Sequence, residues 1–348
     1  MKSLFNLFFV FILISALYGC QPGQKVQVDT AAAVSVSDFL GSWTIAIEDG
    51  SVGWLEVRQN EKYLDADLLW KGGSVTPVAN VYFDGKKLVA TRTRNVVREK
   101  DVAGNVVKGH VITTLYEFTR EGEVLKGVCT DPRNNGTEVG MQSFVATKLP
   151  PVPTAPDLAA LKFGEPLQLF NGKDLSGWKL TNEKQKNGFI VVEGVLENDP
   201  VQPEGGEHIS YGNLRTEKLF DDFNLKLEVN VPAGSNSGVY LRGMYEIQVL
   251  DSQGKELDSH NMGALYSRIT PSVGAEKKAG DWQSLDMTLC DRHLTVILNG
   301  TRIIDNQPVA GPTGGAIISD VFSPGPIYLQ GDHGKVAYRN IVLTPIIK

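Results

Sequence analysis

Cysteine is scarce in this chain, with three residues, Cys20, Cys129 and Cys290, among 348. The last two stand far apart with no CxxC spacing, which argues against a zinc or redox motif. Both read as small buried hydrophobes, and a disulfide between them is not indicated. Positive charge is also in deficit. Thirty-four Lys and Arg against 40 Asp and Glu leave a net charge of −6. That balance argues against a nucleic-acid surface, and the nearest approach to a basic cluster, Arg92, Arg94, Arg98 and Lys100, reads as decoration of a strand edge. Long apolar runs are missing too. The longest, residues 4–17, falls short of the ~20 residues that a spanning helix needs.

Glycine, by contrast, is plentiful at 36 residues. It recurs between short runs that alternate apolar and polar, the pattern of an all-β chain with many tight turns. Hydrophobic content of 42% is enough for real cores. At roughly 150 residues per domain the length predicts about two domains.

Lys2 followed by the apolar run 4–17 reads as a signal-peptide core over residues 1–19. Leu17-Tyr-Gly-Cys20 resembles a bacterial lipobox, which implies lipidation of Cys20, a membrane anchor without a spanning helix, and a place in the bacterial cell envelope, periplasmic or surface-exposed. Residues 20–36 are polar and small, as in a flexible tether.

Residues 37–148 form the first expected domain. Clean alternation at 43–47 and 53–57, further runs up to 147, and turns at Asp84-Gly85 and Glu121-Gly122 predict about eight short strands in a small antiparallel barrel or sandwich. Gly41-x-Trp43 resembles the opening of lipocalin-like barrels. No catalytic constellation stands out, and the domain reads as accessory, for docking or for shaping a neighbouring site. Residues 149–163, with Pro150, Pro151, Pro153 and Pro156, make a semi-rigid linker, and residues 157–162 add one helical turn.

The second domain, residues 164–348, again alternates. Phe223, Leu225, Leu227 and Val229 mark one strand, and Asn299-Gly300 is a strong hairpin signal. Strands of this length and number predict a jelly-roll sandwich. Residues 235–251 hold two strands broken at Gly243. Side chains alternate across a strand, so Tyr240, Arg242, Glu246 and Gln248 are expected on one sheet surface. An aromatic, a cation, a carboxylate and an amide together suit a polyhydroxylated ligand.

Several blocks in order carry a resemblance. They include Leu169-Phe-Asn-Gly-Lys-Asp-Leu-Ser-Gly-Trp178, Asn236-Ser-Gly-Val-Tyr-Leu-Arg-Gly243, Tyr245-Glu-Ile-Gln-Val-Leu-Asp251, Gly263-Ala-Leu-Tyr266 and Pro326-Ile-Tyr-Leu-Gln-Gly-Asp-His-Gly334. Together they resemble the 3-keto-disaccharide hydrolase family, over about half the chain. The resemblance implies a concanavalin-like glucanase sandwich that cleaves 3-keto-glycosides. A ketone at C3 acidifies the C2 hydrogen, so a base can remove it, the C1 substituent can leave by elimination, and water can add back. The paired carboxylates of ordinary glycosidases are not needed.

Glu246 is the candidate base, with Arg242 and Gln248 as donors to the ketone or hydroxyls. His333, in a turn beside Asp332, is the candidate second acid or base. Asn236, Tyr240, Asp251, Tyr266, Gln330 and Asp332 complete the expected sugar-binding set. Asp251 either binds sugar or caps its strand, and Tyr240, Tyr266 and Trp282 are candidate stacking platforms. No cofactor is expected. Asp258 and His260 are a weak pair for a divalent cation. The partner is an oligosaccharide or glycoside, and the competing reading is a non-catalytic carbohydrate-binding lipoprotein of the same fold.

Overall fold

The alternating runs become strands. A computed structural model describes residues 34–347, which hold 23 strands, two 3-10 turns and no α-helix. Cys20 and residues 1–33 lie outside the described residues.

The first part holds β1 (Gly41–Ile47), β2 (Val52–Gln59), β3 (Leu64–Trp70), β4 (Thr76–Pro77), β5 (Asn80–Phe83), β6 (Lys87–Lys100), β7 (Val106–Glu121), β8 (Val124–Pro132) and β9 (Val139–Lys148). They form one antiparallel sheet in the order β4-β3-β2-β1-β9-β8-β7-β6-β5. The chain itself joins the two edges. β4 pairs with β3, the Val78 and Ala79 amides donate to the Ala66 and Thr91 carbonyls at 3.0 and 2.7 Å, and β5 pairs with β6. The sheet is thereby rolled shut, which removes exposed strand edges. Its interior is filled by Trp43, Ile45, Leu55, Leu68, Phe118 and Phe144.

A 3-10 turn, Leu158–Ala160, is capped by the Asp157 side chain, which accepts the Ala159 amide at 3.0 Å. The second part then holds β10 (Lys162–Phe163), β11 (Leu167–Gln168), β12 (Trp178–Leu180), β13 (Phe189–Val192), β14 (Val195–Asn198), β15 (Leu214–Thr216), β16 (Phe223–Asn230), β17 (Asn236–Leu241) and β18 (Tyr245–Leu250). It closes with β19 (Trp282–Cys290), β20 (His293–Leu298), β21 (Thr301–Pro308), β22 (Tyr328–Leu329) and β23 (Val336–Ile347). At the β20–β21 turn, Asn299 and Gly300 take the two left-handed positions, φ 51° and 82°, that a type I′ hairpin demands.

One sheet of nine strands runs β13-β14-β23-β16-β19-β20-β21, with β10 and β11 added along β23. A second sheet of five runs β12-β15-β22-β17-β18. They pack face to face as a jelly-roll sandwich. Phe223, Leu225, Leu227 and Val229 of β16 supply one inner face, and Val239, Leu241, Ile247 and Val249 of the β17–β18 hairpin supply the other.

The same core takes in Trp54 and Leu69 from the barrel and Leu149 from the start of the linker. Barrel and sandwich therefore share buried apolar surface, and the chain from Val34 onward is one compact unit. The Arg268 guanidinium lies 4.3 Å over the Trp54 ring. The proline-rich segment is pinned as well, Arg292 donating to the Pro150 carbonyl at 3.0 Å and Asn306 to that of Pro156 at 2.9 Å. Cys129 and Cys290 are buried in separate sheets, and no disulfide joins them.

Candidate active site

The site begins with the β17–β18 hairpin. Register sets Tyr240 opposite Glu246 and Gly238 opposite Gln248, with Val239 opposite Ile247 on the core side. Tyr240 also pairs with Tyr328 of β22, whose ring stacks on it at 3.8 Å and 14°. Tyr328, Glu246 and Gln248 thus share the outer face of the five-stranded sheet with Tyr240. Two turns stand over that face. One is Gly314-Gly315, held down by the Tyr240 hydroxyl on the Gly314 carbonyl (2.7 Å) and the Tyr328 hydroxyl on the Gly315 carbonyl (2.5 Å). The other is Gly72-Gly73 from the β3–β4 connection of the barrel, whose neighbour Lys71 accepts the Gly315 amide at 2.9 Å.

Between turns and sheet lies a hollow of about 290 Å³, near the lower end of the roughly 300–1,000 Å³ of ligand pockets. Glu246, Tyr240, Gln248 and Gln330 line its floor, and Asn236, Tyr266 and His333 stand around them. Larger clefts exist on the barrel. One is lined by Ile47, Val128, Phe144 and Val145 beside paired charges such as Lys126 with Glu121 at 2.6 Å, and the other holds the Lys71–Asp49 pair at 2.5 Å.

Glu246 is the most constrained group. Its side chain is 3% exposed. Oε2 meets the Tyr240 hydroxyl at 2.8 Å, and Oε1 accepts from Gln330 Nε2 at 2.8 Å. Gly238 leaves the room for this carboxyl, because a methyl group there would stand 2.5 Å from Oε1. Burial pushes the Glu246 pKa up to about 8, and the bonds from Tyr240 and Gln330 pull it back only in part. The proton count agrees. Tyr240 has one hydroxyl hydrogen and faces two acceptors, Glu246 and the Gly314 carbonyl. A carbonyl cannot donate, so both contacts become hydrogen bonds when Glu246 carries the proton.

His333 sits at the rim with one side open to solvent. Partial burial lowers its pKa, against a smaller raising effect from Asp332. At neutral pH the hollow therefore holds a carboxylic acid and a neutral imidazole. Three amide oxygens, Asn236 Oδ1, Gln248 Oε1 and Gln330 Oε1, are buried there without a hydrogen-bond partner. Buried acceptors left open are costly, and three in one hollow invite a ligand rich in hydroxyl donors.

Four expected residues lie elsewhere. Arg242 follows Tyr240 by two but falls in the turn, at φ 54°. Its guanidinium swings away from the sheet face and donates to the Val321 and Ser323 carbonyls at 2.9 and 2.6 Å. Asp251 is one residue past the strand, off the parity of Glu246 and Gln248, and accepts the Gly234 amide at 2.9 Å. Asp332 faces His208 at 3.5 Å, outside the hollow. Trp282 belongs to the other sheet and lies under the Arg339 guanidinium at 4.0 Å.

Asp258 contacts His260 at 3.5 Å, and the ring's other nitrogen meets Ser74 Oγ at 3.0 Å. Among the described residues, three-ligand metal spacing occurs instead at Asp222, Cys290 and Asp291. Sequence reasoning missed Tyr328, although its parity with Gln330 marks it. It also missed the two glycine pairs, which contribute backbone rather than side chains.

The site is thus a polar hollow on the smaller sheet of a jelly-roll sandwich. Residues 165–344 match the family described as the 3-keto-alpha-glucoside-1,2-lyase-like domain, and the chain belongs to that family. It is thereby a carbohydrate-active protein of a family that acts on glycosidic bonds.

Similar solved structures include two candidate glycosyl hydrolases of Parabacteroides distasonis ATCC 8503. One is 28% identical over 56% of this chain and 92% of that one, with a TM-score of 0.41. The second is 21% identical over 52% and 94%, with a TM-score of 0.42. A prokaryotic beta-1,3-1,4-glucanase (lichenase) from a mouse hindgut metagenome is 12% identical over 53% and 99%, with a TM-score of 0.30. A comparison with curated proteins gives no match.

Proposed function

We propose that the protein cleaves 3-keto-glycosides by proton abstraction at C2 and elimination at C1. The observation that carries this reading is the pairing of Glu246 and His333 in one hollow, with pKa values driven in opposite directions. Groups pushed apart in this way sort into acid and base. Glu246, expected from sequence to be the base, is the proton donor in this reading, and the neutral His333 is the base.

The C2 proton passes to an imidazole nitrogen of His333. The C2–H electron pair forms the enolate, whose oxygen at C3 takes a hydrogen bond from the Gln248 amide N–H. Collapse of the enolate restores the C3 ketone, forms the C1=C2 double bond and breaks the bond from C1 to the leaving oxygen, which takes up the Glu246 proton. Water added across C1=C2 then completes net hydrolysis, its hydroxyl going to C1 and its proton to Glu246, while the His333 proton returns to C2. The open carbonyls of Asn236, Gln248 and Gln330 hold the ring through its remaining hydroxyls.

The reading uses no cofactor. Turnover is expected to survive dialysis against a chelator, and loss reversed by a divalent cation would contradict that part. We further propose that Cys20 is lipidated and ties the protein to the cell envelope. Cys20→Ala should move the protein from the membrane fraction to the soluble one.

The decisive assay sets 3-keto-glucosides beside ordinary glucosides. Aglycone release from the oxidised set alone, slowed by deuterium at C2, is expected. Release from the unoxidised set would defeat the elimination route. The rate should rise with pH as His333 loses its proton below the ordinary imidazole value of 6.5 and fall as Glu246 ionises near pH 8. Glu246→Gln should abolish turnover while sugar affinity persists. Unchanged turnover in that variant would remove Glu246 from the chemistry.

A further inference from the structure

The family's domain covers residues 165–344, yet part of the hollow's lining comes from Gly72 and Gly73. That barrel turn is fixed at several points. Lys71 accepts the Gly315 amide at 2.9 Å, Ser74 Oγ lies 3.0 Å from His260 Nε2, and the Val75 amide donates to Ser267 Oγ at 2.9 Å. The turn also lies directly against Gly314, where a methyl group would run into the Gly73 backbone. Gly314 and Gly315 are in turn bound to the Tyr240 and Tyr328 hydroxyls of the sheet. The barrel thus reaches the reacting end of the hollow through two hydrogen-bonded layers and has few ways to move independently of it.

We propose that the Gly72-Gly73 turn is a specificity wall that limits this site to small glycosides, burying one ring with a short aglycone and refusing internal rings of a longer glycan. The inference rests on the reading of the hollow as a sugar site. A cleft that takes the interior of a polymer must be open at both ends, as an unaccompanied sheet face would be. Here a second rolled sheet contributes a wall, and the space left is about 290 Å³. The barrel, expected from sequence to be accessory, becomes a determinant of which substrates enter.

Gly72 makes the test clean. A methyl group built on it meets nothing within 4 Å, and its backbone lies outside the left-handed region. A side chain there has open space rather than core around it, on the turn that lines the hollow, so Gly72→Leu should melt like the wild type. The probes are 3-keto-α-glucosides with methyl, glucosyl and maltotriosyl aglycones, read as kcat/KM and, by calorimetry, as affinity. The wild type should favour the methyl and glucosyl members over the maltotriosyl one by about tenfold or more, within what pocket size alone can enforce. Gly72→Leu should reduce use of the glucosyl member by about tenfold and of the methyl member by about threefold or less.

Equal use of all three by the wild type would overturn the proposal. So would a folded Gly72→Leu with unchanged ratios. Failure of the catalytic reading looks different, since the wild type would then release no aglycone from any probe. The same size ratios would be read from affinity, which the wall governs with or without turnover.

Discussion

Glu246 is where burial and chemistry meet, and its ionisation has a consequence for stability. Its pKa in the folded protein, about 8, stands above the ordinary 4.5. Between those values the folded state holds a proton that the unfolded chain has released. Stability from this group is therefore fully present below about pH 4.5, declines as pH rises, and is lost above pH 8. Each pH unit over that span costs about 1.4 kcal/mol. Glu246→Gln mimics the protonated acid and can still donate to the Tyr240 oxygen. The variant should match the wild type near pH 4 and exceed it at pH 9 by several degrees in Tm. Parallel Tm–pH curves for the two proteins would show that Glu246 is already ionised in the folded state.

At the scale of the element, the β17–β18 hairpin was largely legible. Period-two alternation is enough to set Tyr240, Glu246 and Gln248 on one face and Val239, Ile247 and Val249 on the other, and the structure has them so. Alternation misleads at Arg242 because the rule holds only inside a strand, and the backbone has already turned there. It is silent about Gly72, Gly73, Gly314 and Gly315, whose carbonyls and amides carry no residue-type signature and arrive from distant parts of the chain. Gly238 is the subtler case. In a strand it reads as a weak point, but here it is the space into which the Glu246 carboxyl folds. Gly238→Ala should displace that carboxyl from Tyr240 and Gln330, cost about 1–3 kcal/mol as overpacking does, and depress kcat more than it raises KM. A variant with wild-type kcat would mean that the carboxyl's position is not critical.

At the scale of the molecule, a proline-rich segment between two β-rich halves suggests two bodies on a stiff tether. The buried surface argues for one. Trp54 and Leu69 of the barrel lie at 3% and 0% exposure within the sandwich's own core, and Leu149 extends that core into the linker. Domains joined only by a linker unfold separately, whereas halves that share a hydrophobic core lose it together. Calorimetry of the chain from Val34 onward should show a single transition whose van't Hoff and calorimetric enthalpies agree. Trp54→Ala removes the largest barrel side chain from the shared core and the ring beneath Arg268, at a cost of about 3–5 kcal/mol. It should lower Tm sharply or split the transition into two. Because the hollow's wall comes from the barrel, the preference for short aglycones should vanish when the barrel melts. Two transitions in the wild type, or a size preference that outlasts melting of the barrel, would mean that the sandwich completes its site alone.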